Sequence, residues 1–271
     1  DRAELLASAD ARARLLDDIG QRGLRLAALN CSAWLLHPRT GGAQRQIVEE
    51  TFRLAEMLGV STVVTMSGCP GDGPGATTVN WPTYAWPEEL LDLHRRQWDE
   101  MLELWRGLAP LAADHGVRVA LELHPLQLVF NVPTLIELRT AVGDTVGANL
   151  DASHLFWQGM DPLAVIRALG PAIHHVHLKD TSLVADEVAL AGVLDLRSFE
   201  DPAHRAWNFR TVGRGHDRAW WTSFVRGLAD VGYDGALSIE HEDRLDDPLA
   251  GVEESAALAR DVLGSVAPRP A

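Results

Sequence analysis

Short apolar runs alternate with longer amphipathic stretches along most of this 271-residue chain. In residues 1–20, Leu5, Leu6, Leu15, Leu16 and Ile19 recur at helical spacing and Gly20 supplies a stop, which predicts a helix. LRLAALN (24–30) reads as a short buried strand, 44–58 as an amphipathic helix ending at Gly59, and TVVTMS (62–67) as a second buried strand. A loop rich in Gly, Pro and Thr fills 68–87, long enough to point to a function such as a lid. Helix is expected over 88–115, with a break near Pro110. Beyond it the pattern predicts strands at 117–123, 146–151, 173–178 and 236–241, and helices at 134–142, 162–169, 218–230 and 251–263. A long polar connection occupies 181–216, and the terminal APRPA should fray.

Strands that alternate with helices imply parallel pairing and right-handed crossovers, hence an α/β fold. Six strands are visible, whereas a closed (β/α)8 barrel has eight and begins with a strand. Either a first strand–helix–strand segment is absent from this sequence, or the sheet is open and doubly wound. The chemistry described below favours the barrel. The expectation is therefore one TIM-barrel domain over 1–271, with 68–87 and 181–216 as long active-site loops and about 50–60 further residues at the native N-terminus, the usual size of such a unit.

Lys and Arg number 24 against 38 Asp and Glu, so the formal charge is 24 − 38 = −14. Nucleic-acid binding leans on cationic side chains, and this balance argues against it. The two cysteines, Cys31 and Cys69, have no zinc-type spacing and are expected as reduced thiols. No apolar run reaches the roughly 18 residues of a membrane span, and no secretory signal is visible. A cytoplasmic protein with no membrane partner is expected.

The chemistry collects at strand ends. LELHP, NLDASH, HHVHLKD and SIEHED each finish a strand in acidic or imidazole residues, and in a parallel barrel those ends face the active site. Alternation along a strand puts Glu122 with His124 on one face, His175 with His177 and Lys179 on one face, and Glu240 with Glu242 on one face. Carboxylates and an imidazole from four strand ends make a plausible cage for Mn²⁺, Mg²⁺, Co²⁺ or Zn²⁺, since buried carboxylates are costly without a cation. For any single one of these residues, a strand-end salt bridge is the plainer account.

Taken in order, LELHP (121–125), NLDASHLFWQGMDP (149–162), HVHLKD (175–180), TVGRGH (211–216) and GYDGALSIEHED (232–243) resemble the xylose isomerase-like TIM barrel family of sugar phosphate isomerases and epimerases. The resemblance implies that Glu122, Asp151, His177 and Glu240 ligate one divalent metal, with Mn²⁺ the leading candidate. It implies acid/base roles for Glu122 and Glu240, and substrate contact for His154 and Lys179. His124 shares the Glu122 face, and Arg210 and His216 flank a Gly-containing turn; these three are further candidate substrate-binding residues. Asp180 is expected to pair with Lys179. His37 points toward the site end of its strand. Trp34, Trp81, Trp86 and Trp157 are placed in loops on that side, either as sugar-stacking walls or as loop packing.

The activity implied is metal-dependent isomerisation or epimerisation of a keto sugar by proton transfer through a metal-stabilised enediolate. The alternative is a lyase subunit that cleaves an oxidised (3-keto) C-glycoside by β-elimination. Cleavage of abasic DNA, known for a relative with this barrel, is disfavoured by the charge. The partners expected are a small-molecule sugar or glycoside and either a second copy or a second subunit. Near the proposed site the cations are only Lys179, Arg210, Arg214 and Arg39, so a neutral substrate is expected rather than a phosphorylated one.

Overall fold

The computed structural model describes residues 1–266 and falls into two compact units, Asp1–Asn149 and Leu150–Ala271. The APRPA tail lies outside the described residues.

The first unit opens with two helices where one was expected, α1 (Arg2–Ala7) and α2 (Ala9–Gln21). Ser8 between them is extended, and its hydroxyl accepts from the Ala11 amide at 3.1 Å, which starts a new helix. The predicted strand at 24–30 shrinks to β1 (Leu29–Asn30), because only these two residues have partners, Val63 and Val64. Leu24 is exposed, so hydrophobicity alone did not bury this run. Next come α3 (Gly41–Leu58), β2 (Thr62–Thr65), α4 (Glu88–Asp114), β3 (Arg118–Glu122), α5 (Val132–Val142) and β4 (Val146–Asp151). Within the unit the strand order is β1-β2-β3-β4 and all pairs are parallel.

Buried positions on α3 (Val48, Thr51, Phe52, Ala55) and α4 (Leu93, Gln97, Met101, Leu104, Leu108, Ala112) recur every three or four residues and cover the strands. Gly59 ends α3 in the left-handed region, φ 69°. No break occurs at Pro110. The residues around it, Leu108, Ala109 and Ala112, are buried, and their packing outweighs the lost backbone hydrogen bond.

The second unit takes up the end of β4 and continues with α6 (Ala152–Trp157), α7 (Pro162–Leu169), β5 (Ile173–Leu178), β6 (Asp180–Leu183), α8 (Ala185–Ala191), β7 (Trp207–Arg210), α9 (Arg218–Asp230), β8 (Leu237–Ile239) and α10 (Pro248–Ser265). β5 and β8 pair in parallel. The 181–216 connection is not a simple polar loop: β6 and β7 form an antiparallel pair running from Asp180↔Arg210 to Leu183↔Trp207. Trp157 and Trp207 stack at 4.7 Å against Ala206, which gives this segment its own small core. Among the described residues the six expected strands are all present, β1 to β4 paired in parallel in the first unit and β5 with β8 in the second, and no helix is long and apolar enough to cross a membrane.

Helix α5 begins with a reciprocal cap: the Asn131 side chain accepts from the Thr134 amide, and Thr134 Oγ1 accepts from the Asn131 amide. Asn131→Ala should lower unfolding stability by about 1 kcal/mol in urea titrations, and no measurable loss would show that the cap contributes nothing to the fold.

Candidate metal centre

Each side chain of the centre in the second unit is aimed by the element that carries it. Asp151 is the last residue of β4 and the N-cap of α6; its Oδ1 accepts from the Ser153 amide at 2.9 Å, which fixes the carboxylate's rotation. His177 lies in β5, and Lys179 follows that strand directly. Glu240 follows β8, where its amide still donates to Leu178 O at 3.1 Å. Asp151, His177 and Glu240 each offer one ligand atom, and these atoms lie within 4.8 Å of one another. Ligands around one ion at roughly 2.0–2.5 Å are separated by up to about twice that distance, so the three are spaced for shared coordination. Asp151 and His177 are buried, and the Glu240 side chain is about 30% exposed. The set is a buried Glu/Asp/His cluster whose chemistry fits a divalent cation.

Lys179, only 2% exposed, places its ammonium 2.6 Å from Glu240 Oε2, 2.9 Å from Glu242 Oε2 and 3.2 Å from Asp151 Oδ2. Phe209 lies under the ammonium, with 4.6 Å from Nζ to the ring centroid. Burial alone would raise the Glu240 pKa. The hydrogen bond from His177 and the charge of Lys179 more than offset this, so its carboxyl titrates below the ordinary range and is ionised at neutral pH. His154 is buried, 3.6 Å from Asp151 Oδ2, with its ring edge-on to Phe209 at 5.5 Å. His175 shares the His177 face as expected. Its pKa is pushed down to about 4 by burial and then by His177, and it bonds Ser238 Oγ at 2.9 Å as a neutral ring.

Asp180 does not pair with Lys179. Its Oδ2 accepts from the amides of Gly213, Gly215 and His216, and its Oδ1 from Thr181 N and the His216 ring. A side chain at Gly215 would put Cβ 2.3 Å from Thr181 O, so the turn closes over Asp180 only with glycine there. His216 also stacks on Phe156 at 3.7 Å. Arg210 forks onto Asp243 and Asp246 at 3.0 Å each, and Arg214 bridges Asp246 and Glu254. The cations near this turn are thus already matched by carboxylates. Trp157, expected in a loop, ends α6 and is buried.

In the first unit, Glu122 closes β3 and is 3% exposed; the Asn149 amide reaches its Oε2 at 3.5 Å. His124 is half-buried, with Nδ1 against its own Pro125 carbonyl. The base of the 68–87 loop is pinned: Gln97 donates to Pro70 O, Gly71 O and Asn80 O, and Gln127 receives the Gly68 amide. Trp81 packs edge-on against Phe130, while Trp86 is exposed; Trp34 and His37 are half-buried. Cys31 and Cys69 are free thiols, and burial pushes Cys69 up to about 12. Phe209 and Glu242 are the participants for which the sequence suggested no role. Glu242 carried a visible signal, two residues beyond Glu240; Phe209 carried none, because its position depends on the β6–β7 pairing.

The family model of the xylose isomerase-like TIM barrel matches residues 3–262. The chain belongs to that family. Protein YfiH of Bacillus subtilis (strain 168) is 42% identical over 265 residues, 96% of this chain and 85% of that protein. The inosose dehydratase of Klebsiella pneumoniae (strain 342) is 24% identical over 258 residues, 91% of this chain and 78% of that enzyme. A solved L-ribulose 3-epimerase superimposes with a TM-score of 0.64 at 18% identity, over 93% of this chain and 80% of the epimerase, a likeness of fold. Family and site together mark the chain as an enzyme of the xylose isomerase-like group, whose sequence relatives include dehydratases.

Asp243 ties the 211–216 turn to the segment after β8. Burial pushes its carboxyl up, but the Thr211 and Leu245 amides and Arg210 more than reverse this, so it titrates below its ordinary value. A carboxylate depressed on folding stabilises above its unfolded pKa, near 4, and that stability is lost as pH falls through the folded value. Asp243→Asn should cost about 2 kcal/mol at pH 7 and flatten the decline in stability below about pH 5, read from urea titrations across pH. An unchanged slope would show that another carboxylate dominates.

Proposed function

We propose that this chain is a divalent-metal-dependent enzyme that moves a proton on the carbon beside the carbonyl of a neutral keto sugar, acting as an isomerase or epimerase. The observation that carries the reading is the convergence of Asp151, His177 and Glu240 on one point, with Lys179 and His154 beside them. Glu122 is the fourth ligand in this proposal. It sits in register with Asn149, which shares its face of β4 with Asp151, two residues on. A divalent ion held by these groups, Mn²⁺ first among candidates, supplies Lewis-acid stabilisation of negative charge developing on the substrate's oxygens.

The chain's own groups divide the remaining work. Glu240, ionised and held by His177 and Lys179, accepts the C–H proton. Lys179 and His154 donate hydrogen bonds to substrate oxygens, and the half-buried His124 extends that set. Glu122 is the second carboxylate that returns a proton: to the neighbouring carbon for isomerisation, or to the other face of the same carbon for epimerisation. Phe209 and the Asp180-held turn exclude water from this side. Arg210 and His216 serve through the turn they brace.

A second reading, β-elimination, is favoured by the inosose dehydratase among the sequence relatives. The same carboxylate takes the proton, and the leaving oxygen departs with a proton from Lys179 or His154.

Keto sugars and cyclic polyol ketones incubated with the protein and Mn²⁺ in D2O should take up deuterium beside the carbonyl, seen by NMR. Glu240→Gln should reduce the rate by about 10²–10⁴-fold. An absorbing enone product would select elimination, and no exchange with any member of the panel would overturn the proposal. Matched comparison of a sugar with its phosphate should favour the neutral form in kcat/KM; a preference for the phosphate of about tenfold, or 1.4 kcal/mol, would overturn that assignment.

A further inference from the structure

Lys179 presents a difficulty that the proposed metal centre has to solve. Its ammonium sits at hydrogen-bonding distance from Glu240 Oε2 and close to Asp151 Oδ2, two carboxylates that the proposal assigns to the metal. An N–H directed at a carboxylate oxygen engages lone pairs that a metal would use, and two cations on the same carboxylates repel each other. The side chain is buried, so removing the ammonium from all carboxylate contact would leave a buried charge uncompensated. The Phe209 ring backs the ammonium on one side and accepts no ordinary hydrogen bond. Glu242 differs from the other two acceptors: it lies outside the ligand cluster, its side chain is 52% exposed, and it meets Nζ at 2.9 Å.

We propose that Glu242 is a positioning residue that holds the Lys179 ammonium at the rim of the centre, so that Asp151 and Glu240 remain available to a divalent cation. The inference rests on the metal reading above and extends it to a residue outside the ligand set. With Glu242 in place, Lys179 keeps a charged partner while its contacts to the ligands loosen. Without Glu242, the ammonium leans more heavily on Asp151 and Glu240 and competes more directly with the metal.

The test is Mn²⁺ binding to the whole chain by isothermal titration calorimetry, arranged as a double-mutant cycle. Glu242→Gln should weaken Mn²⁺ binding by about fivefold, the size of a partly exposed charge pair. In a Lys179→Met background, where the competitor is gone, the same Glu242 substitution should change affinity by less than about twofold. Lys179→Met alone should bind Mn²⁺ at least as tightly as wild type. If Lys179→Met does not fold, Lys179→Gln takes its place in the cycle. Equal losses in both backgrounds would show that Glu242 acts only as a general negative charge and would overturn the proposal, as would no loss in either. Wild type that binds no Mn²⁺, Mg²⁺, Co²⁺ or Zn²⁺ would instead remove the metal reading itself, and this inference with it.

Discussion

Carboxylates buried beside one another must be compensated by positive charge, and the local architecture around Asp151 and Glu240 answers that requirement. Asp151 is buried and Glu240 only partly exposed at their strand ends, where repulsion and desolvation would otherwise disfavour their charged forms. His177 and Lys179 approach from the β5 strand and its extension, and together they hold Glu240 ionised. A site charged in this way at neutral pH can accept a proton from carbon or hold a cation. The same electrostatic demand that constrains folding here therefore prepares the chemistry.

The second anchor is Asp180, which faces away from that cluster although it is next to Lys179 in sequence. Its carboxylate gathers three backbone amides of the 211–216 turn and the His216 ring, besides the Thr181 amide, and so freezes that turn. The turn brings Arg210 and Arg214 against Asp243, Asp246 and Glu254, and the β6–β7 pair brings Phe209 beneath Lys179. Adjacent residues thus serve two different tasks, because side chains alternate faces along an extended chain.

A sequence relative carries the name of a dehydratase, and a protein of similar fold that of an epimerase. One proton-abstracting centre can lead to either outcome. What separates them is where the proton returns and whether an oxygen leaves, and those depend on groups around the centre more than on the ligands.

The sequence by itself determined the alternation of strands and helices and the strand ends that carry acid and imidazole, while the grouping of Glu122, Asp151, His177 and Glu240 as one ligand set came from the family resemblance. Periodicity is a local signal: β4, β5 and α7 were readable to the residue because their burial pattern is complete within each segment. Tertiary structure alone decided that 24–30 pairs through only two residues, that α4 runs through Pro110, and that 181–216 folds back as an antiparallel pair. It also decided that Asp180 serves a turn instead of Lys179, and that Glu242 and Phe209 meet the Lys179 ammonium. Each of these rests on contacts between residues tens of positions apart, where hydrogen-bond partners and charge pairs are chosen by proximity in space, which no local pattern of hydrophobic and polar residues encodes.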